Sequence, residues 1–268
     1  MSKLSNGQFS VLIVDDNPVN LDVLRRNLEA INCVVITAEN GINALNLLEV
    51  ETFDLVLLDI MMPEMDGYEL LSLMKASQTM SIIPVMMVSA VDDMESVLSC
   101  IRMGAVDYIV KPFESRLLKS RVLRVIEKHV QNCGSRITDS GSKGSMKILV
   151  VDDSDINRDI LKQRLINYGY EVAIAIDGLD ALERLQQQSF DLILLDIMMP
   201  GLDGYGTLEH VKNDAGLKDI PVVMISALDD REVSNRCMKL GASDFITKPF
   251  NSVLLKARLQ TFNVYDLP

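Results

Sequence analysis

The sequence predicts an α/β protein made of two doubly wound domains in tandem, each built on a five-stranded parallel sheet. Three observations predict it: the length, an internal repeat, and short apolar segments that alternate with longer helical patterns. The 268 residues fit two domains of ordinary size better than one. Hydrophobic residues make up 48% of the chain, so each half can bury a core of its own.

An internal repeat divides the chain, because the sequence matches itself at one constant offset without a gap. The repeated residues are Asp15-Asp16, Asp59, Ser89-Ala90 and Lys111-Pro112-Phe113 in the first copy, and Asp152-Asp153, Asp196, Ser226-Ala227 and Lys248-Pro249-Phe250 in the second. Two copies cannot form a solenoid, so each must be a whole domain. We therefore predict domains at residues 1–130 and 146–268. The segment between them, residues 131–145, is rich in glycine and serine and predicts a flexible linker.

Each copy contains five short apolar segments that predict strands. They read VLIVD, VVITA, DLVLLD, PVMMVS and VDYIV in the first copy, and KILVVD, EVAIA, DLILLD, PVVMIS and SDFIT in the second. Strands that are apolar along their whole length are buried on both faces, which indicates a parallel sheet covered by helices. Helical patterns fill the intervals, so each copy predicts five βα units.

Charge and hydropathy exclude several classes of partner. The net charge is −12, so phosphates of nucleic acids would repel the chain, and we expect no nucleic-acid partner. No apolar segment reaches the roughly 20 residues that a membrane-spanning helix needs. The N-terminal residues also lack the pattern of a secretory signal, so we expect no membrane partner and a cytoplasmic location. The four cysteines form no CxxC pair, which argues against a zinc site.

Polar residues follow four of the five predicted strands in each copy. All strands of a parallel sheet point the same way, so the residues that follow them converge on one edge, where such folds bind ligands. The residues concerned are Asp15, Asp16, Asp59, Ser89 and Lys111 in the first copy, and Asp152, Asp153, Asp196, Ser226 and Lys248 in the second. Each copy is therefore predicted to hold three carboxylates, one hydroxyl and one ammonium in a single crevice.

Three carboxylates in one crevice repel each other by roughly 4 kcal/mol per pair at ~4 Å and an effective dielectric constant near ~20. A divalent cation relieves this repulsion, and oxygen ligands alone favour Mg²⁺. A carboxylate beside Mg²⁺ can attack phosphorus and form an aspartyl phosphate, while the metal and the lysine neutralise the phosphoryl oxygens. A single aspartate at a strand end is usually a helix cap or turn former. The repetition of the whole set at identical spacing favours phosphoryl chemistry instead.

The motifs VDD, LLDIMMP followed by DGY, SA and KPF resemble those of the receiver domain of two-component response regulators. The resemblance covers about residues 10–130 and 146–262. It implies two flavodoxin-like receiver domains that take part in phosphorelay signal transduction. It also implies a phosphoprotein that switches conformation to control a partner or an output domain, and that is not itself an enzyme.

The resemblance assigns a role to each matching residue. Asp59 and Asp196 would accept the phosphoryl group, with Lys111, Lys248, Ser89 and Ser226 as the other reactive positions. One Mg²⁺ per domain would be bound by Asp16, Asp59 and the carbonyl of Met61, with Asp15 assisting through water, and by Asp153, Asp196 and the carbonyl of Met198, with Asp152 assisting. Tyr108 and Phe245 match the switch aromatic position. We expect the side chains of the methionines in the turn after each acceptor, Met61, Met62, Met198 and Met199, to serve local packing.

The resemblance also implies the partners. The phosphodonor would be a histidine kinase or a histidine phosphotransfer protein, and the signal would pass to a downstream output protein or domain. Receivers of this family pair through the face of the fourth helix, fifth strand and fifth helix, so a homodimer or an intramolecular receiver–receiver contact is expected. The alternative, that the pair is the regulatory part of a larger enzyme such as a nucleotide or diguanylate cyclase, stays open.

Two other enzyme classes are excluded by the sequence. A phosphatase of the haloacid dehalogenase type places a second aspartate two residues after its nucleophile, where this chain has Met61 and Met198. A dinucleotide-dependent enzyme would carry GxGxxG after its first strand. The first strands here are followed by VDDNP and VDDSD instead.

Overall fold

The structure is a computed structural model that describes residues 8–90, 94–134, 145–227, 231–249 and 252–262. The chain divides into two compact units, and the division lies next to residue 137. Each unit alternates strands and helices along the chain, as the apolar segments predict. The two units are described separately.

The first unit consists of five strands and five helices. Its elements are β1 (Phe9–Val14), α1 (Pro18–Glu29), β2 (Cys33–Ala38), α2 (Gly41–Val50), β3 (Leu55–Asp59), α3 (Gly67–Ala76), β4 (Val85–Ala90), α4 (Met94–Arg102), β5 (Asp107–Lys111) and α5 (Ser115–Gly134). The strands form one parallel sheet in the order β2-β1-β3-β4-β5. This order reverses direction at β1, which is the switch point where doubly wound sheets open a crevice.

The second unit repeats this architecture. Its elements are β6 (Lys147–Val151), α6 (Asp155–Asn167), β7 (Glu171–Ala175), α7 (Gly178–Gln187), β8 (Leu192–Asp196), α8 (Gly204–Asn213), β9 (Val222–Ser226), α9 (Arg231–Lys239), β10 (Asp244–Thr247) and α10 (Ser252–Gln260). Its sheet is parallel, in the order β7-β6-β8-β9-β10. The predicted fold class, two doubly wound five-stranded domains in tandem, is confirmed.

The central strands of each sheet are buried on both faces because they are mostly apolar, whereas the edge strands β2 and β7 are only partly buried. In β1, residues Val11–Val14 are all buried, and β3 and β8 are buried along their whole length. One face of the first sheet packs against helices α1 and α5, which supply the core residues Leu24 and Val122 among others. This packing fixes the position and register of the central strands. The residues that follow these strands therefore lie at one edge of the sheet.

Polar caps determine where the helices begin at this edge. The side chains of Asn17, Asn40 and Asp66 each accept a hydrogen bond from the first turn of α1, α2 and α3. The second unit uses Ser154, Asp177 and Asp203 in the same way, for α6, α7 and α8. Such caps satisfy backbone donors that have no partner within the helix, so each helix starts close to the strand that precedes it.

The end of α5 differs from the sequence prediction. The predicted linker begins at residue 131, but α5 continues to Gly134. A glycine at the end of a helix costs little, whereas the composition of residues 131–145 as a whole had suggested a flexible chain from its first residue. Residues 135–144 lie outside the described part of the chain. No helix among the described residues combines the length and the apolar character that crossing a membrane would require.

Candidate functional site

The register of the first sheet brings the predicted polar residues together. Asp15 directly follows β1, whose last residue pairs with Leu58, the neighbour of Asp59 in β3. Asp59 in turn lies opposite Val88, next to Ser89. The last pair of β4 and β5 joins Ala90 to Lys111. Because all these strands run in parallel, the side chains meet at one edge of the sheet.

A lysine joins two aspartates in the first unit. The Lys111 Nζ lies 2.8 Å from Asp15 Oδ2 and 3.0 Å from Asp59 Oδ2. Asp15 and Asp59 are buried, whereas Asp16 is exposed at the mouth of the crevice. Carboxylate oxygens of the three aspartates lie within 4.8 Å of one another. The arrangement is an acidic cluster held together by one ammonium group.

The second unit repeats this arrangement. The Lys248 Nζ lies 2.7 Å from Asp152 Oδ2 and 2.8 Å from Asp196 Oδ2. Here too the first and third aspartates are buried and Asp153 is exposed, with carboxylate oxygens of all three within 4.8 Å of one another. Burying charged groups costs free energy, and buried charges are rare without partners. The occurrence of the same buried set in both units therefore indicates a functional role.

Burial and the lysine act in opposite directions on the pKa of the predicted acceptor carboxyl. Burial raises the pKa of Asp59 above its ordinary value, although the hydrogen bond and the charge of Lys111 lower it. The pKa of Asp196 is raised for the same reasons, with Lys248 in the place of Lys111. For Lys111 itself, burial lowers the pKa, but its hydrogen bonds to Asp15 and Asp59 outweigh burial and raise it. The lysine therefore stays charged and offsets the repulsion between the two aspartates.

Backbone groups orient the carboxylate of Asp59. The Ile60 N–H donates to Asp59 Oδ1 at 3.0 Å, so that the other oxygen, Oδ2, faces Lys111. The chain then returns to the strand end, where the Gly67 N–H donates to the Ile60 carbonyl at 2.9 Å. A Cβ atom at Gly67 would collide with the carbonyl oxygen of Asp59. Glycine is therefore required at the start of α3 for the loop to close behind the acceptor, and Gly204 meets the same constraint behind Asp196.

The predicted hydroxyl lies at the strand end, and in the first unit it has no hydrogen-bond partner in the part of the chain that the structure describes. Ser89 is 1% exposed, and its Oγ has no hydrogen-bond partner among the described residues. Buried hydroxyls are nearly always satisfied, so an exception at a polar edge points to a ligand that accepts a hydrogen bond. Ser226, the equivalent residue, is fully buried at the end of β9.

The methionines after the acceptors correct one expectation. All four methionine side chains were expected to pack locally, but those of Met61 and Met198 are 70% and 65% exposed. Their neighbours Met62 and Met199 are buried, as expected. The roles of the Met61 and Met198 carbonyls as metal ligands remain predictions. Tyr108 is half-buried and Phe245 is buried, each in the last strand of its sheet.

One pair of site residues was missed by the sequence reasoning. The Asn20 Nδ2 donates to both oxygens of Asp15, at 2.9 and 3.1 Å, and the Asn157 Nδ2 donates to Asp152 Oδ1 at 3.2 Å. An asparagine one helical turn into the first helix of both copies was the available signal. These amides hold the buried aspartate in one rotamer and leave its Oδ2 directed at the lysine.

The residues present fit a hard divalent cation. Each cluster offers oxygen ligands alone, with two buried carboxylates and one exposed carboxylate close enough to share an ion. The partnerless Ser89 hydroxyl lies at the same strand edge, ready to donate to an anionic group beside such an ion. Soft metals would require cysteine or histidine, and neither occurs in these clusters.

Comparison with known proteins agrees with the repeat. A family model described as "Response regulator receiver domain" matches residues 11–123 and again residues 148–260. The response regulator PleD of Caulobacter vibrioides is 43% identical over 123 residues, which are 46% of this chain and 27% of PleD. The probable transcriptional regulator ycf27 of Cyanidium caldarium is 40% identical over 126 residues, which are 47% of this chain and 49% of that protein. The chain thus spans half or less of these curated relatives.

Solved structures are also similar to this chain. The chemotaxis protein CheY4 of Vibrio cholerae is 32% identical over 45% of this chain and 100% of its own, with a TM-score of 0.43. The two segments that the family model matches make up most of the sequence, and each coincides with one repeat, one parallel sheet and one acidic cluster. The chain therefore belongs to the response regulator receiver domain family and carries two copies of that domain.

Proposed function

We propose that Asp59 and Asp196 each accept a phosphoryl group from the phosphohistidine of a histidine kinase or a histidine phosphotransfer protein, with one Mg²⁺ bound beside each acceptor. The observation that carries the proposal is the repeated contact of a lysine with the acceptor, 3.0 Å in the first unit and 2.8 Å in the second, inside a cluster of three carboxylates. The chain is then a response regulator of two-component signalling with two acceptor sites.

For the transfer, the protein mainly positions the reacting groups and neutralises charge on the phosphoryl oxygens. A carboxylate oxygen of Asp59 attacks phosphorus, an O–P bond forms, and the P–N bond to the donor histidine breaks. The electron pair of that bond returns to the histidine nitrogen. Lys111 remains beside the new acyl phosphate as a counter-charge, and the Ser89 hydroxyl can donate to a phosphoryl oxygen. Mg²⁺, when bound, neutralises charge on the phosphoryl oxygens.

The three carboxylates of the cluster would have different roles in binding the cation. Asp15 is buried, takes two hydrogen bonds from Asn20 and pairs with Lys111, so it is held in place. Asp16 is exposed and can approach a cation from solvent. Asp59 reaches the same point from the neighbouring strand. This division supports Asp16 and Asp59 as direct ligands, with Asp15 acting from further away.

The output of the signal stays a prediction of the sequence. A downstream output protein or domain would read the phosphorylated state, in a homodimer or through contact between the two receivers. The alternative, in which the pair regulates a nucleotide or diguanylate cyclase, is distinguished by the reading frame downstream of the gene. Both outcomes use the same two acceptors.

Borohydride mapping tests the acceptor assignment. Borohydride reduces an aspartyl phosphate to homoserine, which marks the acceptor in a peptide digest. The chain is treated with acetyl phosphate and either Mg²⁺ or EDTA before reduction. We expect homoserine at positions 59 and 196, and only when Mg²⁺ is present. Homoserine at Asp15 or Asp152, or equal labelling with EDTA, contradicts the proposal.

A further inference from the structure

Four exposed apolar positions are the same in both units. They are Val19, Val23, Ile42 and Met61 in the first unit, and Ile156, Ile160, Leu179 and Met198 in the second. All eight side chains are between 43% and 71% exposed. Each residue of the first set stands at the repeat position of its counterpart in the second. We call each set of four the apolar rim of its unit.

The other exposed large apolar residues of the described chain are not shared. They are Val50, Leu73, Ile82, Ile166 and Ile176. At the matching repeat positions the other unit has Gln187, His210, Asp219, Glu29 and Glu39. These five positions accept a polar side chain in an otherwise equivalent domain, so nothing in the fold requires an apolar residue there. The apolar rim is therefore the part of the exposed apolar surface that both units share.

The rim lies around the acceptor. Val19 and Val23 stand one turn apart on α1, the helix that begins after Asp15 and Asp16. Ile42 lies in the first turn of α2, at the same edge of the sheet, and Met61 is in the loop that follows Asp59. The rim consequently occupies the surface that a molecule must touch in order to reach the acceptor carboxylate.

The chemistry of the rim indicates its occupant. Clustered exposed apolar side chains, bordered by charge, are typical of protein interfaces and serve no purpose for a small phosphodonor. The exposed Asp16 and Asp153 border the two rims, and the chain as a whole carries a charge of −12. The complementary surface is apolar with basic groups at its margin, and it must present a phosphohistidine at its centre.

We propose that the two receiver units are phosphorylated by one and the same donor protein, which recognises the apolar rim common to both. This inference rests on the proposed function and adds that the two acceptors do not report separate inputs. The matched rims are aliphatic at three positions and methionine at the fourth, in both units. The rims differ only by aliphatic changes, valine to isoleucine at two positions and isoleucine to leucine at one, so a surface that fits one rim fits the other closely.

Donor profiling tests the proposal in the full chain. The histidine kinases and phosphotransfer proteins of the source organism are each phosphorylated with radiolabelled ATP and mixed with Asp59→Asn or Asp196→Asn, so that one acceptor remains. The same donors should label both variants, at rates within about tenfold of each other, a gap of about 1.4 kcal/mol. Different donors for the two acceptors, or no donor for either, would overturn the proposal.

Labelling by acetyl phosphate with Mg²⁺ distinguishes failure of the shared donor from failure of the proposed function. If acetyl phosphate labels neither acceptor, the proposed function itself fails. If it labels both while the protein donors differ between the variants, only the shared donor is wrong. A matching donor profile together with labelling by acetyl phosphate supports both.

Rim variants test the surface directly. Val19→Lys with Val23→Lys, and Ile156→Lys with Ile160→Lys, should each slow transfer from the shared donor at least tenfold in the altered unit, and leave acetyl phosphate labelling unchanged. The matched controls are Val50→Gln and Ile166→Glu, which introduce the residue of the other unit at exposed positions outside the rim. Equal transfer to rim and control variants would show that the rim is not the contact surface.

Discussion

At the scale of single residues, most of the site follows from strand ends. The sequence places three carboxylates, a hydroxyl and an ammonium after parallel strands, and the structure brings them to one edge in both units. The contacts of Asn20 and Asn157 were not predicted, because a helical asparagine has no fixed direction until the helix is oriented against the strand. The exposure of Met61 was also mispredicted, since the orientation of a loop side chain depends on how the loop closes.

Ser89→Ala tests whether the Ser89 hydroxyl, which has no partner among the described residues, donates a hydrogen bond to the phosphoryl group. Since the Ser89 Oγ has no partner in the described structure, its loss should change the free energy of unfolding by less than about 0.5 kcal/mol. With beryllofluoride and Mg²⁺, which mimic the phosphoryl group, the wild type should gain about 1 kcal/mol more stability than the variant. Hydrogen exchange of the β4 amides measures both quantities in the first unit alone.

The control for this prediction is a buried hydroxyl that already has a partner. Thr207 is fully buried, and its Oγ1 donates to the Asp203 carbonyl at 2.8 Å. Thr207→Val should cost about 1 kcal/mol with or without beryllofluoride, measured on the α8 amides. If Ser89→Ala behaves like Thr207→Val, the hydroxyl has a structural role and its assignment to the phosphoryl group is wrong.

At the scale of elements, periodicity and caps predict the strands and helices well, and the end of α5 poorly. Short, mostly apolar segments mark all ten strands, and the fully buried β3 and β8 show this composition most clearly. The last turn of α5 contains Asn132 and Gly134, which favour a helix end, so propensity alone stops the helix early. Those residues are helical because they add one more turn to an already long helix.

Gly204→Ala tests the close approach of α8 to the acceptor strand. The added Cβ would collide with the carbonyl oxygen of Asp196, so the start of α8 must shift. We expect a loss of about 1 to 3 kcal/mol in the free energy of unfolding of the second unit, as for other overpacked positions. Labelling by acetyl phosphate should fall at Asp196 and persist at Asp59, which serves as an internal reference.

Gly216→Ala is the matched substitution in the same unit. A Cβ there would meet only the Asp214 Oδ1 at 3.4 Å, so stability should change by less than about 0.5 kcal/mol. Hydrogen exchange of the β8 amides compares the two variants. Equal stability of Gly204→Ala and Gly216→Ala would mean that the loop behind Asp196 does not constrain the acceptor.

At the scale of the whole molecule, the chain is two complete sites on one polypeptide. Neither unit lacks a member of the cluster, since each has its three aspartates, its serine and its lysine at matching places. The pKa of both acceptors is raised by burial and opposed by a lysine, so the two sites share their electrostatics as well as their geometry. The internal repeat predicted this equivalence, because residues at one constant offset in two copies of a fold occupy equivalent positions.

Each unit is proposed to hold one phosphoryl acceptor, and intact mass spectrometry after incubation with acetyl phosphate and Mg²⁺ counts the phosphoryl groups that the chain accepts. We expect up to two phosphoryl groups on the wild type, at most one on Asp59→Asn or Asp196→Asn, and none on the double variant. Asp54→Asn is the control, because Asp54 precedes the same strand, at the opposite edge of the sheet, and binds the Ser10 N–H; it should match the wild type. Phosphoryl groups that persist on the double variant would contradict the account.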